Sequence, residues 1–360
     1  MRAAVLNGYG EDLEIVEVTS PDVGPNDVRV RIEASGVCHS DLLVQQGVVP
    51  FPTPVILGHE GTGTVTEIGD RVARVSVGDR VIGAFIPACG DCWYCLHGSS
   101  NLCEGLADAM LSSRGTTGQG ADLFGMSGLG TFAEEMVLDQ GMVVSVRSDL
   151  PAEHLALIGC GVTTGVGAAL NAARVEPGTT VAVFGCGGVG QAVVQGARIA
   201  GASRIVAVDL LDHKRRSAIE LGATDAVDPA AGDPVVQISE LTGGRGVDYA
   251  FEAIGRPDVI NQAYSSARKG GTIVVIGMAP IDDTVTFSAV ELMANDKHLT
   301  GCMYGSANVR RDFQRFVDLA ESGRLDLDAM VTRRIRLDDV NDALGAVDRG
   351  DVIRSVICEF

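Results

Sequence analysis

Along residues 1–81 apolar and polar positions alternate in short runs broken by Gly, Pro and Asp, as in Val28-Arg29-Val30-Arg31-Ile32, residues 61–68 and residues 79–82. Alternation with a period of two marks half-buried strands, and short strands separated by turn residues predict a small antiparallel barrel. Residues 1–8 read as a strand and turn. Residues 104–130, rich in Gly, Ser and Thr, read as an extended loop, and regular patterning resumes at residues 131–137. Residues 155–171 carry small residues where a helix must pass close to a ligand or another backbone. From residue 180 the runs become continuously apolar, at 180–184, 204–208, 223–227, 247–251, 272–277 and 299–303, with helical stretches such as 191–200 between them. Strands buried on both faces and joined by helices predict a six-stranded parallel sheet. Past Tyr304 the chain returns to a helix at 310–322 and closes with a strand at 353–358.

The first of these apolar runs leads into Gly185-Cys186-Gly187-Gly188-Val189-Gly190. This order of strand, glycine turn and helix fits a dinucleotide fingerprint. Gly185 allows the tight turn, Gly187 lets the backbone approach a pyrophosphate, and Gly190 lets the helix pack on the strand. Asp209 closes the next strand, where a carboxylate would accept hydrogen bonds from the ribose of NAD and repel the extra phosphate of NADP. Lys214-Arg215-Arg216 stands close enough to reach a phosphate, or forms the solvated face of a helix.

Two groups of cysteine and histidine carry metal chemistry. Cys89, Cys92, Cys95 and Cys103 offer four thiolates from one short lobe, the set a closed structural zinc requires; an iron–sulfur cluster is the chemical rival, disfavoured by the acidic NAD-binding context. Zinc would fold a lobe too small for its own core. Cys38 and His59, on separate loops, can converge on one ion, or be a buried cysteine and a hydrogen-bonded histidine. Cys160 is placed to be a third ligand of an open site, or a core thiol.

Size and charge narrow the class. At 360 residues and 46% hydrophobic content the chain can fill two cores, and a net charge of −19 disfavours nucleic acid and anionic membranes as partners. No charged-then-apolar leader opens the sequence and no apolar run reads as long enough to span a bilayer, so the expected location is cytoplasmic.

With these motifs in view, the sequence resembles the zinc-dependent medium-chain alcohol dehydrogenases over its whole length. The likeness rests on Gly-Val-Cys-His-Ser-Asp at 36–41, Gly-His-Glu at 58–60, the four-cysteine lobe, Gly-Cys-Gly-Val-Thr-Thr-Gly at 159–165, the glycine turn and the terminal Ile-Arg-Ser at 353–355. It implies an α/β protein with a GroES-like β-barrel catalytic domain, residues 1–161 and 305–360 with a zinc lobe at 86–104, and a doubly wound Rossmann domain at 162–304. It also implies two zinc ions, a catalytic one on Cys38, His59 and Cys160 and a structural one on the four-cysteine lobe, with NAD in the cleft between domains. Glu60 would stand behind the catalytic zinc and approach it during ligand exchange, and Asp41 would orient His59. An open zinc site lowers the pKa of a bound alcohol so that hydride can leave.

Further roles follow from the same likeness. Ser40 would pass the alcohol proton toward the nicotinamide ribose, with a helix N-cap as its plainer reading, and Phe85 would wall the substrate pocket with Cys302 and Met303 near it. His39 and Arg354 would contact the pyrophosphate, or be surface charges. Val189 would pack behind the nicotinamide with Thr164 beside it, Arg256 would lie on the adenine side, and Gly188, Lys214, Ile254, Ile276 and Gly277 would complete the cofactor contacts. Leu43 departs from the family, whose proton relay often ends in a histidine there. The expected reaction is reversible oxidation of a primary alcohol to its aldehyde by a homodimer or homotetramer. The alternative, oxidation of a thiol adduct of formaldehyde, needs a cation at the pocket mouth, and Arg114 is the only candidate in the loop. A polyol dehydrogenase would usually have glutamate as third ligand, and a non-catalytic NAD-binding protein would not need the intact ligand set.

Overall fold

A computed structural model describes all residues, 1–360, and the chain divides into two compact units. The first comprises 1–161, 307–323 and 327–360; the second comprises 162–306 and 324–326.

In the first unit the long strand Asp27–Val37 is the organising element. Val28, Val30, Ile32 and Ala34 alternate inward and are buried. Along one edge it pairs with Glu60–Ile68, while its other edge pairs first with Glu135–Asp139 and then with the terminal strand Arg354–Glu359. One strand thus ties residues from the beginning, middle and end of the chain into a seven-stranded sheet. A second sheet of five strands includes Arg2–Leu6. The barrel expected to be antiparallel contains parallel pairs as well, Val331–Arg336 with Arg354–Glu359 and Val55–Ile56 with Asp122–Gly125.

Residues 104–130 are not the extended loop expected. They fold into the helix Leu106–Leu111 and the hairpin Ser113–Thr116 and Asp122–Gly125, which extends the second sheet. Arg114 within it is buried rather than free to meet a substrate. Its guanidinium donates to the carbonyls of Gly128 at 2.8 Å and Val137 at 3.0 Å, and to Ala109 at 3.4 Å. Leu123, Met126 and Leu129 of the segment join the buried cores, and Arg114 ties its ends together through backbone carbonyls, a contact that no hydrophobic period announces.

In the second unit six parallel strands stand in the order β3-β2-β1-β4-β5-β6, where β1 is Thr180–Phe184, β2 Arg204–Val208, β3 Asp225–Val227, β4 Val247–Glu252, β5 Ala267–Val275 and β6 His298–Gly301. Helices connect successive strands, and the order reverses between β1 and β4, the place where such sheets bind dinucleotides. β6 forms one edge, and all four of its residues are exposed.

A helical run spans Ala152–Ala172 and, contrary to expectation, is long and apolar enough to cross a membrane, with mean hydropathy 1.5. Its most apolar window is 78% buried within the protein, as expected of a core helix. The run widens into π-helical turns at Ile158–Val162 and Ala168–Ala172.

Candidate active site

The helix His39–Gln45 begins at Cys38, whose backbone N–H donates to Asp41 Oδ2 at 2.8 Å. Cys38 rather than Ser40 is therefore the N-cap, which corrects the plainer reading of Ser40. The other oxygen of Asp41 accepts from Gly58 N–H at 3.1 Å and lies 3.0 Å from His59 Nδ1. One buried carboxylate thus fixes the helix start, the turn before His59 and the imidazole, leaving Nε2 of His59 as its metal-binding atom.

Opposite stands Cys160, in the π-helical turn Ile158–Val162, a distortion often found at functional positions. The ligand atoms of Cys38, His59, Glu60 and Cys160 lie within 4.8 Å of one another, and all four residues are buried. Cys160 and the Arg354 guanidinium draw the Cys38 thiol well below its ordinary pKa, and the Cys160 thiol is pushed up by Cys38 and by burial. Burial opposes charge on His59, yet Asp41 and Cys38 hold the imidazole well above its usual value. Two thiols, an imidazole and a carboxylate this close in a water-poor site suit a divalent cation that takes the sulfurs as thiolates; the donor set is that of a catalytic zinc with a position to spare.

Glu60 is seated by residues far away in the chain. Its Oε1 accepts from Gly161 N–H at 3.0 Å and pairs with Arg354 at 3.2 Å, while Oε2 is buried without a hydrogen-bond partner. Burial pushes the Glu60 carboxyl up to about 7 against the pull of Arg354. Arg354 is no surface charge: it is buried, and although burial opposes its charge, Glu60, Cys38 and Cys160 raise its pKa. Space for the pair comes from two glycines, since a Cβ at Gly36 would meet the Glu60 carboxylate and one at Gly161 the Arg354 guanidinium. The pairing of Glu60 with Arg354 had no sequence signal; only the strand pairing of 355–357 with 35–37 brings them together. Phe85 sets its ring edge-on to His59, with centroids 5.8 Å apart, and Ser40 Oγ lies 3.9 Å from Cys38 Sγ. Leu43 is buried on the same helix.

In the lobe, Cys89 and Cys95 sulfurs are 3.8 Å apart and those of Cys92 and Cys103 3.9 Å, with all four within 4.8 Å. Zn–S bonds of about 2.3 Å in a tetrahedron give edges of about 3.8 Å, so the four fit zinc and leave no position open. Burial raises the Cys89 thiol, but backbone N–H groups of Cys92 and Asp91 bring it down to about 6.

The second unit carries most of the residues expected to contact a nucleotide. Gly185 has φ 87°, a Cβ at Gly190 would strike the Gly185 carbonyl, and a Cβ at Gly187 would meet nothing within 4 Å. Gly185 and Gly190 are thus required by the fold itself, whereas Gly187, just before the helix Gly188–Ala200, faces open space. Asp209 accepts from Cys186 N–H at 2.7 Å and Leu211 N–H at 2.9 Å, one on each oxygen, which holds the carboxylate against the turn. Arg215 pairs with Asp212 and Asp228 and Arg216 with Asp212, on the helix Asp212–Glu220 that also carries Lys214. Ile254 lies against Gly185, and Gly277 backs onto Gly255 too closely for a Cβ, with Ile276 beside it at the end of β5. Arg256 is exposed and paired with Asp258 at 2.9 Å. Thr164 is half-buried, on a helix whose Gly165 touches the Val189 carbonyl.

Two residues missed at the sequence level fasten this turn region. Gln191 donates to the carbonyls of Cys186 and Lys214, both at 3.0 Å, and buried Glu252 accepts from the N–H groups of Ile254 and Gly255. His39 is exposed, in the first unit.

The comparisons agree with this chemistry. Residues 24–148 match the alcohol dehydrogenase GroES-like domain, and residues 188–322 match the zinc-binding dehydrogenase family. An NDMA-dependent alcohol dehydrogenase of Amycolatopsis methanolica is 39% identical, covering 99% of this chain and 98% of the relative. An S-(hydroxymethyl)glutathione dehydrogenase of Synechocystis sp. is 38% identical over 99% of both. The crystal structure of benzyl alcohol dehydrogenase from Acinetobacter calcoaceticus superposes with a TM-score of 0.93 at 30% identity, covering 100% of this chain and 99% of that one. Taken with the two cysteine clusters, these similarities identify the chain as a member of the zinc-binding medium-chain alcohol dehydrogenase family.

Proposed function

We propose that the protein oxidises primary aliphatic, allylic or aromatic alcohols to aldehydes, reversibly, by hydride transfer to NAD. The observation that carries this reading is the buried cluster of Cys38, His59 and Cys160 with Glu60 beside it. Zinc held there supplies a Lewis acid that favours loss of the alcohol proton. The chain's own residues do the rest: Asp41 keeps His59 in the ligating orientation, Phe85 covers one side of it, and Ser40 stands next to Cys38 to take the proton onward. The Arg354–Glu60 pair holds a second carboxylate within reach of the ligand set. NAD rather than NADP is favoured by Asp209 and by the acidic pairing of the arginines in the basic run.

Production of NADH with a panel of alcohols, and with formaldehyde with and without a low-molecular-weight thiol, tests the reading before and after chelation. Turnover of free alcohols, abolished by the chelator, is the expected result. Turnover only with thiol would instead mean adduct oxidation, the activity named for the Synechocystis relative; the burial of Arg114 removes the one cation expected to serve it. Turnover only when NDMA is added would align it with the NDMA-dependent relative.

Nine free cysteines suit a reducing compartment such as the cytoplasm. We also propose a homo-oligomer formed through β6. An exposed edge strand invites pairing, and Met278, Ile281, Val290, Met293, Leu299 and Met303 are all exposed on or near it in sequence. A second copy offers the same strand in return. Leu299→Lys is expected to give monomers by sedimentation at concentrations where the unaltered chain is dimeric or larger; a monomeric parent chain would refute the assignment.

A further inference from the structure

The four-cysteine lobe meets two arginines from distant parts of the chain. Arg74 donates to the carbonyls of Ala88 at 3.1 Å and Cys89 at 2.6 Å. Arg310, at the start of the helix Val309–Glu321, donates to the same Ala88 carbonyl. Both guanidiniums flank Gly90, between the first two cysteines, where an added Cβ would lie 3.5 Å from Arg74 and 3.8 Å from Arg310. Neither has a carboxylate within ion-pair distance, although the chain carries 47 acidic residues. Two like charges aimed at one point repel, and the pKa of Arg310 is lowered by burial first and by Arg74 second, while Cys95, Cys89 and Asp91 raise it. The arrangement is stable when an anion lies beyond the carbonyls. Four thiolates around one Zn²⁺ carry a net charge of −2, which two guanidiniums match.

We propose that Arg74 and Arg310 are the counter-charges of the metal-loaded lobe, and that Arg310 thereby couples metal binding to docking of the helix Val309–Glu321. The coupling acts both ways: an anchored helix slows metal loss, and a loaded lobe holds the helix start. Arg310 is a positioning residue, acting from outside the ligand set, where partners typically change metal affinity 10- to 100-fold. The rest of the helix has its own tethers, since Gln314 bonds to the backbone of Arg147 and Glu321 to Ser148. Only its first turn should respond to the lobe.

The inference rests on the lobe holding zinc, not on which alcohol is oxidised, so zinc content of the purified holoenzyme is measured first. Two ions per chain is the expected value, and an empty lobe would remove the ground for the coupling while leaving the alcohol panel to judge the activity. Release of zinc to a chromogenic chelator is then followed for the unaltered chain, Arg310→Gln and Arg310→Lys, with the lobe's ion assigned by repeating the release in Cys160→Ser. Arg310→Gln is expected to release the lobe zinc about tenfold faster. Arg310→Lys should restore most of the retention, and high salt should narrow the gap. Equal rates in all three, or Lys releasing as fast as Gln, would overturn the counter-charge role. Should the Gln variant not fold, hydrogen exchange on the unaltered chain decides: as the lobe zinc leaves, amides of 309–313 should exchange faster while those of 340–349 do not, and unchanged protection at 309–313 refutes the coupling.

Discussion

Cys160→Ser is expected to leave a folded chain holding one zinc instead of two, with kcat reduced by at least about a thousand-fold. Serine preserves the shape but is a poor zinc ligand at neutral pH. The remaining donors, Cys38 and His59 with Glu60 in reserve, cannot reproduce the three-ligand site. The lobe draws its ligands entirely from 89–103 and does not share them, so its metal stays. The measurement is elemental analysis with steady-state kinetics. Full activity with one zinc would place the chemistry elsewhere, and loss of both metals would mean that the clusters are not independent.

Asp209→Asn should raise KM for NAD by about 10- to 100-fold, the loss of one charged hydrogen bond worth about 1.5–3 kcal/mol. The asparagine oxygen can still accept the Cys186 N–H, but its NH2 replaces the oxygen that accepts from Leu211, so the turn keeps one of its two braces while losing the negative charge. NADP, repelled by that charge, should lose nothing and gain in relative preference. Kinetics with both cofactors at a saturating alcohol reads the outcome. An unchanged ratio of KM values would show that Asp209 serves the turn alone.

Much of the site was legible because its ligands lie in short local patterns. The four cysteines and the glycine turn each occupy one loop, so spacing alone shows what they can hold, and alternation marked barrel strands such as those at 28–32 and 61–68. β1 and β2 of the second unit appear at their expected places because buried parallel strands give uninterrupted apolar runs. What escaped notice depends on contacts between remote residues. Arg354 looks like any cation near a C-terminus until the sheet carries it to Glu60, and Arg114 looks like a loop charge until three carbonyls close around it. The run 152–172 misled in another way: its length was visible, but whether lipid or protein surrounds it depends on the other elements.

The strand Asp27–Val37 joins segments that leave the ribosome far apart in time. The lobe's four ligands are near neighbours in sequence. In the chemical centre, Glu60 remains an uncompensated buried acid until Arg354–Glu359 takes its place beside 35–37. Arg354–Glu359 therefore completes the seating of Glu60 although none of its residues is among the metal-binding cluster.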